Sequence, residues 1–222
     1  MVDIYFEPKY GKLYESIEKG KSVVFKYEGD YGKIQHMFIK REIPVKVDDK
    51  TYYDLVTPYG YGGPIILECE SGFKDELIHG FEAKFRNYCL ENNIVSEFIR
   101  FHPIIKNHID FKKVYEISYV RNTVATKITT NEDPMIAEFS KSARKTIRRS
   151  LRAGVTYNIT RNPNNIKHFM DIYYSTMDRN KASNYYYFDK DYFEQCIVSF
   201  SDNILILETI NASIKAIIKP II

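Results

Sequence analysis

The sequence predicts an α/β (α+β) fold in which a mixed β-sheet is flanked by helices. Three observations carry this. Hydrophobic spacing switches along the chain between a period of two, which suits strands, and one of about 3.6, which suits helices. The strand-like segments of the first half follow one another as antiparallel hairpins, then give way to one long amphipathic helix and a single strand. From Val155 the chain begins that plan again.

Residues 8–20, PKYGKLYESIEKG, read as a short helix closed by Gly20. In the next stretch Val23 and Phe25 alternate with polar neighbours, as do Met37 and Ile39, with turn chemistry in EGDYGK between them. YYDLV is a third strand and PIILEC a fourth. Residues 73–93 place Phe73, Leu77, Ile78, Phe81, Phe85, Tyr88 and Cys89 at helical spacing. VSEFIRFHP is a strand ending at His102-Pro103, and VYEISYVRNTVATKI carries strand alternation. Asp133-Pro134 starts a helix that runs to Gly154 as one piece, with Phe139, Ala143, Ile147 and Leu151 as its buried stripe. VTYNITR is a strand, NIKHFMDIYYSTMDRNKA and YFDKDYFEQCIVSF are helices, and NILILETI is a strand.

Over 222 residues the chain is 44% hydrophobic and 27% charged, which is ordinary globular composition with material for a core. A net charge of +3 argues against a large phosphate footprint. Cys69, Cys89 and Cys196 are odd in number and far apart, with no CxxC, so neither a disulfide nor a metal site is expected. The N-terminus is charged from its third residue, and no apolar run approaches the ~20 residues of a membrane span. A soluble cytoplasmic protein is expected. GxSxG, HExxH, P-loop and GxGxxG motifs do not occur, and neither does the Gln/Arg-x-x-Gly-x-Gly/Ala loop of simple acetyl-CoA enzymes.

Four constellations could carry chemistry. YDLVTPYGYGGP, residues 53–64, puts Thr57, Tyr59, Gly60, Tyr61, Gly62 and Gly63 on a flexible backbone. Its glycines permit close approach of backbone N–H groups to a ligand, and its tyrosines offer apolar faces with hydroxyl tips. It reads either as a ligand-facing loop, tolerant of Gly62→Val and Gly63→Val apart from loss of ligand, or as a plain turn. KSARKTIRRSLRAG, residues 141–154, places Arg144 and Arg148 four apart on one helix face, where two guanidiniums can hold a diphosphate. The alternative is a solvated basic face. YSTMDRNKASNYYYF, residues 174–188, sets Asp178 and Arg179 at a helix end beside an aromatic cluster, or is an ordinary corner. FIRFHP carries Arg100 near a strand end. Asp54 and Asp178 are catalytic candidates by position alone.

Together YDLVTPYGYGGP, SARKTIRRSLRAGV and FMDIYYSTMDRNKASNYYYF resemble the FemAB-like branch of the GNAT acyltransferase superfamily, in order and spacing over residues ~20–210. That branch includes the peptidoglycan-bridge aminoacyltransferases and relatives from cell-wall and capsule gene sets. The resemblance implies tandem GNAT-like domains, residues 1–154 and a partial second domain at 155–222. It implies acyl or aminoacyl transfer to a cell-wall or polysaccharide precursor. The donor is a thioester such as acyl-CoA, or aminoacyl-tRNA, with no tightly bound cofactor. Tyr59 and Tyr61 would line the cleft, Arg144 and Arg148 would face an anionic substrate, and Arg179 would sit at the opening of the second domain. Positioning and oxyanion stabilisation would do most of the catalysis. The chain departs from the family in ending at ETINASIKAIIKPII, where relatives complete a second sheet, and in lacking a coiled-coil arm, which favours a thioester donor, or an unknown one, over aminoacyl-tRNA. Its C-terminal segment is expected to pair poorly and to self-associate through residues 203–218. The alternative function is a non-catalytic binding module for a nucleotide-sugar or protein partner on a degenerate GNAT fold.

Overall fold

The computed structural model describes residues 3–127, 132–211 and 214–221. It divides into two compact units, Met1–Arg121 and Asn122–Ile222. This division differs from the domain limits 1–154 and 155–222, because residues 122–154, with their arginines, fall in the second unit.

In the first unit a 3₁₀ turn, Ile4–Phe6, leads into helix α1, Pro8–Leu13. Proline at its first turn suits this start. The helix stops well before Gly20, which instead opens strand β1, Gly20–Gly29. A two-residue turn at Asp30-Tyr31 joins β1 to β2, Gly32–Glu42, in unbroken antiparallel register from Gly20↔Arg41 to Gly29↔Gly32. Gly32 has no alternative here, since a Cβ would lie 2.1 Å from the Glu68 carbonyl oxygen. Strands β3, Tyr53–Val56, and β4, Ile65–Cys69, both pair antiparallel with the other edge of β2. Helix α2, Lys74–Glu91, then crosses over to β5, Ile94–Phe98, which lies parallel to β3 and makes the sheet mixed. A single turn of helix, α3, His108–Phe111, follows.

The strand period decides which helix covers which face. Ile34, His36 and Phe38 of β2 point to α2, where the rings of His36 and Phe85 lie 5.2 Å apart and those of Phe38 and Phe85 5.8 Å apart. The alternate residues point to α1: Gln35 donates to the Phe6 carbonyl at 2.7 Å, and a Cβ on Gly11 would lie 2.8 Å from Met37 Sδ. The sheet is therefore flanked on both faces. The main core joins Ile34, Phe38, Leu55, Leu77, Ile78, Phe81, Phe85 and Phe111. Burial of each such side chain is worth about 1.5–3 kcal/mol.

The strand expected over VYEISYVRNTVATKI does not form. Residues 116–127 are exposed and unladdered, and Ile128 lies outside the described residues. The alternation changes parity between Tyr119 and Val120, so Ile117 and Tyr119 could not share a face with Val120 and Val124, and no single apolar face exists to bury.

The second unit corrects the expected single helix. Asp133 does cap α4, Pro134–Glu138, accepting from Ile136 N at 3.0 Å. The chain then extends at Phe139, with ψ 142°, and restarts as α5, Lys141–Arg152. The cause is Ser140, whose hydroxyl accepts from Ala143 N at 3.2 Å and so caps a new helix. The apolar stripe is not buried either: Phe139, Ala143 and Ile147 are half-buried and Leu151 is 56% exposed. Gly154, φ 79°, ends α5 as expected.

Strand β6, Thr156–Arg161, helix α6, Lys167–Arg179, a 3₁₀ turn at Asn184–Tyr186, helix α7, Lys190–Ser199, and strands β7, Leu205–Asn211, and β8, Ile214–Ile221, complete the unit. The sheet order is β6-β7-β8, all antiparallel. Ile166, Phe169, Met170 and Ile206 form its small core. The C-terminal segment therefore does not pair poorly: β8 is laddered to β7 from Leu205↔Ile221 to Asn211↔Ile214. Ala212, Ser213 and Ile222 lie outside the described residues.

Candidate functional site

The tyrosine–glycine segment is neither a floppy loop nor a simple turn. Strands β3 and β5 pair in parallel up to Val56↔Phe98, and pairing resumes at the bridge Gly62↔Phe101. Between those points residues 57–61 face only residues 99 and 100, so the chain is forced out of the sheet. Both ends of the excursion are pinned to β5 and its extension. Thr57 N donates to the Phe98 carbonyl at 3.2 Å, Arg100 N to Thr57 Oγ at 3.2 Å, and Gly62 N to the Arg100 carbonyl at 2.8 Å. Asn107, buried, closes the base by donating to the Gly62 and Pro64 carbonyls at 2.9 and 3.0 Å.

An aromatic floor lies under the excursion. Tyr5, Tyr61 and His102 touch pairwise, with ring centroids 5.2–5.6 Å apart. Tyr10 packs on Tyr5 at 5.1 Å, and its hydroxyl donates to the Tyr59 carbonyl at 2.8 Å. Tyr59 is 38% exposed and Tyr61 half-buried, so the loop presents one tyrosine outward and seats the other. Burial, and then the nearby Asp3, raise the Tyr5 hydroxyl above its ordinary value. The glycines are structural. Gly60 and Gly63 have φ 96° and 89°, and a Cβ would lie 2.5 Å from Tyr5 Cε1 at the first and 2.8 Å from Ile99 Cγ2 at the second. Gly62 is buried, with only 3.0 Å to Thr57 Cγ2. The expectation that valine at 62 or 63 would leave the fold intact is therefore corrected: these positions have neither the space nor, at Gly63, the backbone for a side chain.

His102 emerges as a builder of this site. Its Nδ1 accepts from Ile104 N at 3.2 Å and Ile105 N at 3.1 Å, which fixes the proton on Nε2, 3.7 Å from Asp3 Oδ2. Burial lowers its pKa below 6.5, with Asp3 opposing. The His-Pro pair marked a strand end in the sequence; no local pattern there announces a ring that caps two backbone amides. Asn107, Tyr5 and Tyr10 had no sequence signal, because their partners stand 43 to 49 residues away or depend on the loop's excursion.

Arg100 is exposed, with its guanidinium 5.1 Å above the Phe98 ring. Asp54 lies on β3 with both oxygens taken by Arg41, Nε at 3.0 Å and Nη2 at 2.6 Å; Arg41 also reaches Glu18 at 3.1 Å. This bidentate pairing ties β2 and β3 together and occupies both Asp54 oxygens.

The remaining candidates lie in the second unit. Arg144 and Arg148 stand on α5. Arg144 spends one N–H on the Ile136 carbonyl at 2.7 Å, stapling α5 to α4, while Arg148 is exposed. Six of the twelve residues of α5 are basic and none is acidic. Asp178 and Arg179 are exposed at the end of α6, where Asp178 accepts from the Tyr187 hydroxyl at 2.8 Å and holds it above its ordinary pKa. Tyr174 donates to the Phe188 carbonyl at 2.7 Å, fixing the aromatic corner between α6 and α7. Thr57, Tyr59, Gly60, Tyr61, Gly62, Gly63, Arg100 and Asp54 thus gather in one unit, and Arg144, Arg148, Asp178 and Arg179 in the other.

Among the described residues, no group of three or more His, Cys, Asp or Glu side chains could hold a metal ion. The three cysteines are free, and burial pushes the Cys89 and Cys196 thiols up to about 11. Among the described residues no helix is long and apolar enough to cross a membrane.

The FemAB family model matches residues 104–214, from the start of the turn before α3 into β8. That is half of the chain. The protein belongs to the FemAB family. No curated protein matches. The family match holds α4, α5, α6 and α7, and with them Arg144, Arg148, Asp178 and Arg179; the tyrosine–glycine loop and Arg100 lie upstream of it.

Proposed function

We propose that the protein transfers an acyl or aminoacyl group to an amine or hydroxyl of a cell-wall or polysaccharide precursor. The observation that carries this reading is the FemAB match over residues 104–214. In such a transfer the acceptor attacks the donor carbonyl, a tetrahedral oxyanion forms, and the thiol or tRNA hydroxyl leaves with a proton. No covalent enzyme intermediate is required, so binding and orientation are the protein's main contribution. Arg148 and the remaining N–H groups of Arg144 would hold phosphates of the donor or of a nucleotide-linked acceptor, with Arg179 at the rim. Tyr59 and Tyr61 would meet a sugar or base with ring faces and hydroxyls, beside Arg100. The donor is acyl-CoA or aminoacyl-tRNA, used as a co-substrate. Free cysteines and such donors fit a cytoplasmic site of action.

A second reading has an observation in its favour. Both carboxylates singled out as proton acceptors are engaged, Asp54 by Arg41 and Asp178 by Tyr187. A non-catalytic module that binds a nucleotide-sugar or a protein partner needs no such acceptor. A donor panel separates the two: the full chain is mixed with acyl-CoAs or aminoacyl-tRNAs and a nucleotide-linked precursor, and acceptor mass is followed. A mass gain equal to the acyl group supports transfer, while acceptor binding without any gain supports the module.

A further inference from the structure

Below the ejected loop the core holds a polar pair. His36 of β2 is fully buried, and its Nε2–H donates to Glu97 Oε1 of β5. The Glu97 side chain is 13% exposed. These two strands are not neighbours, since β3 lies between them in the sheet. The contact falls at the edge of an interruption in that order: Glu97 is still laddered to Leu55 of β3, one residue before that pairing ends at Val56↔Phe98. On β2, pairing to the middle of the sheet stops at Ile39↔Val56 and resumes at Gln35↔Ile65, so residues 36–38 face the excursion and not a strand. On β5, Glu97 immediately precedes Phe98, whose carbonyl receives the first pin of the loop, Thr57 N.

The arrangement is expensive for a core. Around it stand Phe38, Phe81 and Phe85, with ring centroids 5.1–6.3 Å from His36. His36 Nδ1 is buried without a hydrogen-bond partner among the described residues. Apolar side chains in place of both His36 and Glu97 would leave no such orphan, and replacing a buried polar pair as a whole is often neutral or stabilising, whereas removing one partner strands the other. What the pair supplies that apolar residues would not is a directed tie from the β2 residues beside the excursion to β5 at the last residues laddered to β3.

We infer that His36 and Glu97 are positioning residues for the loop 57–61: their hydrogen bond fixes β5 against β2 at the edge of the break in the sheet, and with β5 it fixes the backbone groups that hold Thr57 and Gly62. The relevance to ligand binding rests on the proposed role of that loop, but the positioning is measured without any substrate. The experiment is hydrogen exchange read by mass spectrometry on the full chain. His36→Phe keeps a ring and removes the donor. It is expected to speed exchange over residues 57–64 about tenfold or more, the equivalent of one lost hydrogen bond to a carboxylate, while the β1–β2 ladder and α2 keep wild-type protection. His36→Gln, whose side-chain amide donates from nearly the same place, restores slow exchange in the loop. If His36→Phe does not fold, Glu97→Met, which removes the acceptor, replaces it, with faster exchange confined to the same loop. Unchanged exchange at 57–64, a uniform loss across β1, β2 and α2, or a failure of His36→Gln to restore the loop would each overturn the inference. Loss of transfer activity with the loop unmoved would bear on the proposed function and not on this tie.

Discussion

Gly63 and Gly72 share a left-handed backbone, φ 89° and 92°, and differ in their surroundings: a Cβ at Gly63 strikes Ile99 and Phe101, while at Gly72 nothing lies within 4 Å. Gly72→Ala should cost only the conformational penalty, about 1–2 kcal/mol. Gly63→Val adds overpacking of about 1–3 kcal/mol. In parallel thermal melts the valine variant should therefore lie clearly below the alanine one; equal melting temperatures would show that the loop can yield. His102 gives a pH signature. Burial holds its folded pKa below 6.5, so in the window beneath 6.5 the unfolded chain binds more protons than the folded one. Stability should fall as pH drops through that window and level off once the folded imidazole also takes its proton. Urea unfolding between neutral pH and about pH 5 should show a shallower slope for His102→Gln, which cannot titrate. An unchanged slope would assign the pH dependence to other groups. The glycine facts were hidden from the sequence because each depends on a contact made after the chain folds back, Ile99 on Gly63 and Asn107 on Gly62; the His102 contacts are local, to amides two and three residues on, but follow no recognisable residue pattern.

Elements were legible where one pattern had one outcome. The hairpin β1–β2 and helix α2 follow from parity and from the spacing of Leu77, Ile78, Phe81 and Phe85, all of which are buried. Legibility failed where a local interaction or a missing partner intervened. Ser140 splits an otherwise periodic helix because its hydroxyl can cap, and residues 116–127 stay out of any sheet because their apolar residues change face. Ser140→Ala should cost about 1 kcal/mol in urea unfolding followed by helical circular dichroism. No loss would mean that the break is set by Phe139 alone. The C-terminal segment yields a further expectation. Strand β7 has a neighbour on each side, so among the described residues of 203–218 only the outer edge of β8 is open to a second chain, and the sequence of β8 includes Lys215, Lys219 and Pro220. Lysine and proline blunt an edge. Light scattering of the full chain should report a monomer as concentration rises; a dimer abolished by a proline placed at Ile217 would restore edge recruitment.

At the scale of the whole molecule the family match covers two of the four constellations that stand out in the sequence and leaves the other two upstream. The tyrosine–glycine motif drew attention through composition and proves to be a pinned excursion from the first sheet, outside residues 104–214. The basic helix α5 and the α6–α7 corner lie inside that range and hold exposed Arg148 and Arg179. If function resides with the family match, the arginines matter more than the loop's hydroxyls. The proposed acyl transfer relies on Arg148 to hold an anionic substrate. The most direct measurement is the transfer rate of the full chain and of Arg148→Ala, with acyl-CoA and with aminoacyl-tRNA as donors, read as mass gain on a nucleotide-linked precursor. Arg148 is exposed, so its removal should leave the melting temperature unchanged while lowering kcat/KM about tenfold or more, the loss of one charge-assisted hydrogen bond to phosphate. Transfer by the wild-type chain with one donor class, reduced to that extent in the variant, is the predicted result. No mass gain with either donor, from a chain that binds the precursor with or without Arg148, would contradict it.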